Sequence, residues 1–432
     1  MPERNVMTLT TERPLPDASK EMALSATVLG AVVLITAIAP LATDMYVPAF
    51  PRVGRDLDAS ATQVQLTLTT FFIGMALGQL IGGPVSDRVG RRRPLLASLT
   101  VLAAASVVCA FSPTIGVMMA ARLLQGFAGG WAMVIARSIV VDLTSGDRMV
   151  RAMNLVAGVS GIAPIVGPLL GAAILEFSHW RVSFWVVAAL AVVMVVVVTV
   201  GVSETLPAER RHGGALAQLA GSTALVLRRR VFVGYLLVFA FSMGAIFAYV
   251  ATSAFVLQSM NGLSPVLYSV DFAGNAVGLT IATLLAAKLA GKVSTRMVVG
   301  IGLVATGAAG VILLVGAVCF AMPLPVALIG FFVLMSAQGL VGPNAGALAS
   351  GEVPEHPGTG SALLGFLQWT MAGVIAPLAG LGGAHTAVPM ATIVAALTAI
   401  SVFALIVLAR PRSTQQASVT ATKKRELAPC TE

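Results

Sequence analysis

The amino-acid sequence predicts an all-helical membrane protein in which twelve transmembrane helices form two pseudo-symmetric six-helix bundles. Of its 432 residues, 57% are hydrophobic and only 10% are charged, whereas a soluble domain carries about 25% charged residues. The apolar stretches are close to the ~20 residues that a helix needs to cross a hydrocarbon core of about 30 Å. Because these stretches are continuous and do not alternate between polar and apolar residues, they favour helices over a β-barrel.

Charged and turn-rich breaks divide the chain into the twelve predicted spans. In order, they cover roughly residues 23–47, 62–83, 94–112, 115–141, 150–175, 182–202, 231–258, 265–287, 297–318, 323–349, 358–382 and 386–409. The segment before the first span is hydrophilic, so this span is typical of a membrane helix and not of a cleaved signal peptide.

The spans fall into two sets of six, which we predict to be the two bundles. The predicted domains are a tail at 1–22, a first bundle at 23–202, a linker at 203–230, a second bundle at 231–409 and a tail at 410–432. Three segments of the first half resemble segments of the second half, namely 83–92 and 287–296, 122–126 and 335–339, and 167–171 and 376–380. Because these pairs follow the same helix order, they indicate a duplicated chain whose repeats surround a central site.

The positive charges predict the orientation of the chain. Its net charge is +9, and 22 of its 27 Lys and Arg residues lie in tails and loops that share one side of the membrane. This bias places both termini in the cytoplasm, and we expect a multi-pass protein of a bacterial inner membrane that acts as a monomer. Because the positive residues follow the loops, they do not indicate a face that binds nucleic acid.

The residue types used in catalysis do not form a recognisable site. The three cysteines give no disulfide framework, and the four histidines lie in predicted loops without the spacing of metal ligands. The sequence contains no phosphate-binding loop and no nucleophile placed beside a base. We therefore predict a protein without metal or cofactor, which is not an enzyme and does not use ATP.

Charged residues within the predicted spans are few, and each costs about 2.5–3.5 kcal/mol on insertion scales. They are Asp44, Arg122, Arg137 and Asp271, with Asp142 directly after the fourth span and Arg151 at the inner start of the fifth. Asp44 near the outer end of the first span and Arg122 in the fourth are predicted to lie at similar depth. An apolar surrounding favours a protonated carboxyl group and a nearby arginine favours a carboxylate, so this pair is a candidate for proton exchange. The alternative is that Asp44 caps a helix end and Arg122 extends toward the interface.

A run of charged and turn residues, 83–94, separates the second and third spans and predicts a tight cytoplasmic turn. Its pattern, Gly-x-x-x-Asp-Arg-x-Gly-Arg-Arg, resembles the loop between the second and third helices of major facilitator superfamily transporters. The matching residues are Gly83, Asp87, Arg88, Gly90, Arg91 and Arg92. Segments 44–51, 121–127 and 161–171 are similar to first-, fourth- and fifth-helix motifs of the drug:proton antiporters, especially the bicyclomycin/chloramphenicol-resistance (Bcr/CflA) subfamily.

This resemblance implies a proton-coupled exporter of small hydrophobic drugs of the chloramphenicol, florfenicol or bicyclomycin class. It implies proton coupling at Asp44 and Arg122, and drug binding at Asp44, Tyr46, Arg122 and Gln125. The residues with an implied gating role are those of the 83–92 pattern, with Arg137 and Asp142 as partners of its arginines. In the antiporter motif of the fifth helix, we expect close helix packing at three glycines and a bend at two prolines. These residues are Gly161, Gly167 and Gly171, and Pro164 and Pro168.

The chain departs from this pattern at one position. Some family members carry a second acid two turns before the first-helix aspartate, where this chain has Thr36. Asp271 is a candidate to share the proton; its alternative role is that of an acid stabilised near a helix N-terminus. Two other classes stay open, namely a transporter of an endogenous metabolite such as an amino acid, a sugar or a biosynthetic product, and a passive channel or membrane sensor.

Overall fold

The computed structural model describes residues 25–144, 146–211, 221, 223–355 and 357–410. The predicted tail 1–22, all but the first residue of the tail 410–432, and part of the predicted linker lie outside the described residues. We call the membrane side on which the first helix begins the inner side, in keeping with the predicted orientation.

Within these ranges, twelve long helices follow one another along the chain. They are α1 Ala26–Asp44, α2 Ala61–Val89, α3 Arg92–Phe111, α4 Ile115–Leu143, α5 Gly146–Phe177, α6 Arg181–Gly201, α7 Arg230–Ala254, α8 Pro265–Leu289, α9 Thr295–Phe320, α10 Leu324–Gly351, α11 Pro357–Ala379 and α12 Val388–Phe403. A 3-10 turn, Val47–Ala49, and a short helix, Phe50–Asp56, continue α1 beyond Asp44. Short π-helical turns, Phe255–Met260 and Ala404–Leu408, extend α7 and α12.

The length and composition of these helices agree with a membrane protein. Eleven helices in the described ranges are long and apolar enough to cross a bilayer, and α5 contributes a further apolar segment, Gly161–Phe177. Side-chain caps define several starts: the Ser60 hydroxyl accepts a hydrogen bond from the Gln63 N–H, and Gln63 Oε1 accepts one from the Ser60 N–H. Reciprocal capping of this kind satisfies backbone donors that have no partner inside the helix.

The contacts between helices repeat from one half of the chain to the other. In the first half, α1 packs on α4, α5 and α6; in the second half, α7 packs on α10, α11 and α12. Likewise, α2 packs on α4 as α8 packs on α10, and α3 packs on α4 and α6 as α9 packs on α10 and α12. The halves meet along two equivalent pairs, α2 with α11 and α8 with α5. This arrangement confirms the predicted fold class, while the exact bundle boundaries remain predictions.

The segment predicted as a turn at 83–94 is mostly helical, so that prediction was wrong in extent. Helix α2 continues through Pro84 to Val89, and only Gly90 and Arg91 connect it to α3. Gly90 ends the helix with φ +100°, a conformation that residues with a Cβ rarely adopt. The apolar run of α2 ends before the helix does, because a helix can continue into water.

Candidate functional site

A cavity of about 250 Å³ lies between the two halves. Its lining comes from seven helices: Pro40, Thr43, Asp44, Phe72, Gly161, Pro164, Met243, Ile246, Phe247, Val250, Phe272, Ala276, Leu279, Met335, Gln368 and Trp369. Among these lining residues, Asp44 carries the one charged side chain, and the others are mainly apolar or aromatic. Ligand cavities typically combine such a lining with a few polar groups, so this cavity is the candidate substrate site.

Asp44 is the last residue of α1 and is 7% exposed. No ion pair or hydrogen bond from another described residue reaches its carboxylate. Its Cβ lies 2.8 Å from the place where a Cβ on Gly167 of α5 would stand. Asp44 is therefore held between a tightly packed helix and an apolar cavity, without a charged partner.

Arg122 lies on α4 behind this wall of the cavity and is fully buried. Its Nη1 donates to the Ala42 carbonyl oxygen at 3.2 Å and to Gln125 Oε1 at 2.7 Å. The guanidinium stands 4.2 Å from the centre of the Phe71 ring, while its Nε and Nη2 have no hydrogen-bond partner. The contact with Ala42 puts Arg122 close to the depth of Asp44, but no ion pair within 4.0 Å joins the two residues.

Tyr46 and Gln125, which the resemblance assigns to drug binding, belong to the same buried layer as Arg122. The Tyr46 hydroxyl is 3.1 Å from the Thr67 hydroxyl, and Gln125 Nε2 donates to Ser106 Oγ at 2.7 Å. Both side chains are fully buried, and neither lines the cavity described above. Of the four residues assigned to drug binding, only Asp44 faces this cavity.

A similar buried layer exists in the second half. Gln338 on α10 contacts Ser242 on α7, and its Nε2 donates to Thr306 on α9 at 3.2 Å. Gln338 corresponds to Gln125 in the repeat, and Met335, which corresponds to Arg122, lines the cavity. The glutamine contacts therefore recur in both halves, whereas the buried arginine belongs to the first half alone.

The α5 motif divides into two parts. A Cβ on Gly167 or Gly171 would overlap the end of α1 at Asp44 or Met45, so these two glycines allow the close packing of the helices. Gly161 has no neighbouring atom within 4 Å of its Cβ position and lines the cavity with Pro164. The prediction that Gly161 admits a neighbouring helix was wrong for this structure. Pro168 is buried within the same helix.

Asp271 belongs to a polar cluster in the first half of α8. Asn275 Nδ2 donates to Asp271 Oδ2 at 2.9 Å and to the Tyr249 hydroxyl at 3.0 Å. The Tyr249 ring stacks on Phe272 at 5.4 Å, and the Tyr268 hydroxyl is 3.0 Å from the Ser253 hydroxyl. Asp271 itself does not line the cavity, although Phe272 beside it does. Asp271 is thus linked to Tyr249 through Asn275.

At the inner side, Arg91 connects its own α2–α3 link to α2 and α4. Its guanidinium contacts Asp87 at 2.5 Å, Asp142 of α4 at 2.9 Å and the Ser86 hydroxyl at 2.7 Å. Although burial opposes it, the two carboxylates raise the pKa of Arg91 above its usual value. In this structure Asp87 is paired within its own half. The side chains of Arg88 and Arg137 are exposed, and Gly83 lies within α2 near Val134.

Glu204, just after α6, also belongs to this inner cluster and was missed by the sequence analysis. Its carboxylate accepts hydrogen bonds from the backbone N–H groups of Arg91 at 2.7 Å, Leu206 at 3.1 Å and Arg92 at 3.3 Å. Against the effect of partial burial, these bonds and the charge of Arg211 lower the pKa of Glu204. The sequence did offer one signal for this role, because Glu204 follows the sixth predicted span on the side that carries the arginine-rich loops.

At the outer side, the two halves are in direct contact. Thr62 and Gln65 of α2 donate hydrogen bonds to the carbonyl oxygens of Gly380 at 3.1 Å and Ala251 at 3.0 Å. Gln258 Nε2 donates to the Pro48 carbonyl oxygen at 3.1 Å, and the rings of Phe50 and Phe255 lie 5.8 Å apart. These contacts close the outer end of the cavity. The sequence analysis did not identify them.

Among the residues that the structure describes, no group of three or more His, Cys, Asp or Glu side chains is arranged to hold a metal ion.

Comparisons with known proteins agree with this architecture. A family model described as Major Facilitator Superfamily matches residues 32–377. An uncharacterized MFS-type transporter of Bacillus subtilis, YdgK, is 34% identical over 88% of this chain and 94% of its own length. A bicyclomycin resistance protein homolog of Haemophilus influenzae is 30% identical over 86% of this chain and 93% of its own.

Among solved structures, a D-xylose–proton symporter matches with a TM-score of 0.71 at 15% identity, covering 89% of this chain and 98% of the symporter. This likeness supports the fold alone. The family model and the two bacterial relatives, by contrast, match the sequence itself, the relatives at 34% and 30% identity over most of the chain. The chain therefore belongs to the major facilitator superfamily and is a transporter, not an enzyme, as the sequence predicts.

Proposed function

We propose that this transporter exports small hydrophobic drugs from the bacterial cytoplasm in exchange for protons. The observation that carries the proposal is the position of Asp44, which is buried, lacks a charged partner and faces an otherwise mainly apolar cavity. A carboxyl group in such surroundings can take up and release a proton as its contacts change. The relative named as a bicyclomycin resistance protein homolog supports a drug as the substrate class.

The exchange proceeds by alternating access. With its outer end closed, as in this structure, the transporter admits drug from the inner side and Asp44 releases its proton there. When the outer end opens, a proton from outside binds Asp44 and favours release of the drug. Inward movement of protons supplies the energy, to which the membrane potential adds about 2.3 kcal/mol per charge per 100 mV.

Two further groups take part in proton coupling. Arg122, held behind Asp44 by Gln125 and the Phe71 ring, exerts a positive field on this side of the cavity. Asp271, with Asn275 and Tyr249, supplies an acid in the second half, whereas in the first helix Thr36 stands where some family members have a second acid. We propose that Asp271 shares the proton with Asp44.

The inner cluster acts as a gate. Asp87 is bound to Arg91 while the outer end is closed. We propose that Asp87 contacts the second half when the inner end closes, while the arginines and Asp142 keep the loop in place. The proposed orientation has both termini in the cytoplasm, on the inner side of the bacterial inner membrane.

A transporter of an endogenous metabolite is the second candidate. The cavity offers Thr43, Asp44 and Gln368 as polar side chains against a large aromatic and aliphatic surface. An amino acid or a sugar carries several polar groups, each of which needs a partner when buried. The small number of polar side chains therefore favours a hydrophobic drug.

The test uses a host that lacks its own efflux pumps. Wild type and Asp44→Asn are compared for resistance to chloramphenicol, florfenicol and bicyclomycin, and everted membrane vesicles report drug-driven proton release. We expect wild type to confer resistance and Asp44→Asn to lose it at equal membrane abundance. Asp58→Asn is the control, because Asp58 is an exposed acid at the outer side just before α2, and this variant should retain resistance. Proton-independent resistance in wild type, or full resistance in Asp44→Asn, would contradict the proposed coupling.

A further inference from the structure

The backbone that links α2 to α3 is folded around the carboxylate of Glu204. Glu204 Oε1 accepts a hydrogen bond from Arg91 N–H at 2.7 Å, and Oε2 accepts one from Arg92 N–H at 3.3 Å. Gly90 completes this fit, because a Cβ at its position would overlap Oε2 of the same carboxylate. Charge-assisted hydrogen bonds to backbone N–H groups are among the stronger ones in proteins.

The same contacts connect the linker to the proposed gate. Glu204 and Thr205 are the second and third residues of the predicted linker, and the Thr205 hydroxyl donates to Asp142 Oδ2 at 3.2 Å. Asp142 and Asp87 are both bound by Arg91. The start of the linker is therefore joined to α2, α3 and α4 in one network.

The second half shows that this network is not needed to hold the helices together. Arg92 donates to the carbonyl oxygens of Val202 and Thr199 at the end of α6, at 2.8 and 2.7 Å. Arg296, its counterpart in the repeat, likewise donates to the carbonyl oxygens of Leu405 and Ala409 at the end of α12. The arginine contact fastens both halves in the same manner.

One acid of this cluster and its cation are replaced in the second half, whereas Asp142 has an acidic counterpart, Glu355, which pairs with Arg229 at 3.2 Å. Gly291 occupies the position of Asp87, and Thr295 occupies that of Arg91. Since Arg296 fastens the second half without an acid at the Asp87 position, Asp87 and Arg91, together with the Glu204 carboxylate that binds the Arg91 backbone, serve something that only the first half does. The function proposed above for this inner cluster is gating.

We propose that Glu204 is a positioning residue for the inner gate, which acts through Asp87 and couples the linker to the α2–α3 connection. This inference rests on the proposed alternating access. By fixing the backbone of Arg91 and Arg92, Glu204 holds the Arg91 side chain where it can bind Asp87. Asp87 then stays in a position from which it can contact the second half when the inner end closes. Without the Glu204 carboxylate, the α2–α3 connection is free to move, and Asp87 is less often in position to contact the second half.

The experiment compares Glu204→Gln with Glu209→Gln, which neutralises an exposed acid five residues along the same linker. Maximal transport rate and KM are measured in proteoliposomes with an imposed proton gradient. Glu204→Gln should lower the maximal rate about three- to tenfold with KM within about twofold, because only a step after binding is affected. Glu209→Gln should match wild type. Glu204→Asp, a milder change, should be intermediate and remains informative if the glutamine variant does not fold.

A double variant tests whether Glu204 acts through Asp87. If it does, Glu204→Gln combined with Asp87→Asn should be no slower than Asp87→Asn alone, since residues of one network are not additive. Full multiplication of the two effects would overturn the proposal. So would equal rates for Glu204→Gln and Glu209→Gln.

A second readout does not depend on the drug. Spin labels at positions 148 and 290, exposed sites at the inner ends of α5 and α8, report the distance between the halves in a cysteine-free background. Glu204→Gln should reduce the population with a short inner distance, and Glu209→Gln should not. If wild type exports none of the drugs, this measurement still decides the role of Glu204. An unchanged distribution in Glu204→Gln would refute it.

Discussion

Gln65 on α2 and Gly380 just after α11 fit together so closely that a Cβ at Gly380 would overlap the Gln65 amide. Gln65 Nε2 donates to the Ala251 carbonyl oxygen at 3.0 Å, and the Gly380 carbonyl oxygen accepts from Thr62. The absence of a side chain at Gly380 therefore allows one of the contacts that join the halves at the outer end. This contact gives a direct way to disturb one state of the transport cycle.

Gly380→Ala should hinder closure of the outer end and shift the protein toward an outward-open state. The added Cβ displaces Gln65 and weakens contacts that exist only when the halves meet. Spin labels at exposed positions 55 and 385 should show a longer outer distance, and transport should fall. Gly116→Ala is the matched control, because Gly116 lies at the outer end of α4 with no atom within 4 Å of its Cβ position. An unchanged outer distance in Gly380→Ala would contradict this interpretation.

The number of helices was predictable from sequence, because each span needs a long apolar run whatever it packs against. The continuation of α2 to Val89 was not, because polar residues form helix in water as readily as loops. Likewise, the motifs indicated that Asp44 and Arg122 matter, but not that they face different environments. The rotation of a helix about its axis depends on contacts with its neighbours, and an apolar helix gives no periodic signal to fix it.

The same limit explains the outer contacts. Thr62, Gln65 and Gln258 are ordinary polar residues near helix ends, and their partners are backbone carbonyl groups of the other half. A carbonyl group is present at every position of the chain, so no residue type marks the acceptor. Only the assembled structure reveals such pairs.

The two glycines that begin and centre the α5 motif should respond differently to the same substitution. Gly167→Ala places a methyl group 2.8 Å from the Asp44 Cβ, and overpacking of this kind costs about 1–3 kcal/mol. We expect a lower melting temperature in detergent and impaired proton-coupled transport. Gly161→Ala, in open space of the same helix, should leave stability and proton coupling near wild type. Equal losses in both variants would contradict the separation of roles within the motif.

Replacing Asp271 tests whether a second acid shares the proton. Asp271→Asn keeps the shape of the side chain and can still bond to Asn275, so folding should be retained. If Asp271 shares the proton, transport driven by a pH gradient should fall at least about tenfold, while drug binding at equilibrium changes less. Asn275→Ala, which removes the link between Asp271 and Tyr249, should also lower the transport that is driven by a pH gradient. A wild-type pH profile in Asp271→Asn would leave Asp44 as the sole acid.

Arg122 should be required for transport and dispensable for stability. Its guanidinium is fully buried, and two of its nitrogen atoms have no hydrogen-bond partner. Each unsatisfied buried donor costs about 1–3 kcal/mol, and the contacts with the Phe71, Tyr46 and Phe184 rings, at about 2 kcal/mol for a desolvated pair, are of similar size. The cost of burying the charge itself, without a carboxylate partner, comes on top of this.

Arg122→Met introduces the residue that occupies the corresponding position, Met335, in the second half, and it has a similar length. We expect its melting temperature to equal or exceed that of wild type, because a buried cation without a carboxylate partner is removed. Transport should nevertheless be lost, since the positive field behind Asp44 disappears. Arg122→Lys retains the charge without the planar head and should keep part of the activity. If Arg122→Met is less stable than wild type but still transports, Arg122 serves packing. The presence of a buried arginine in the first half, where the second half has Met335, would then need another cause.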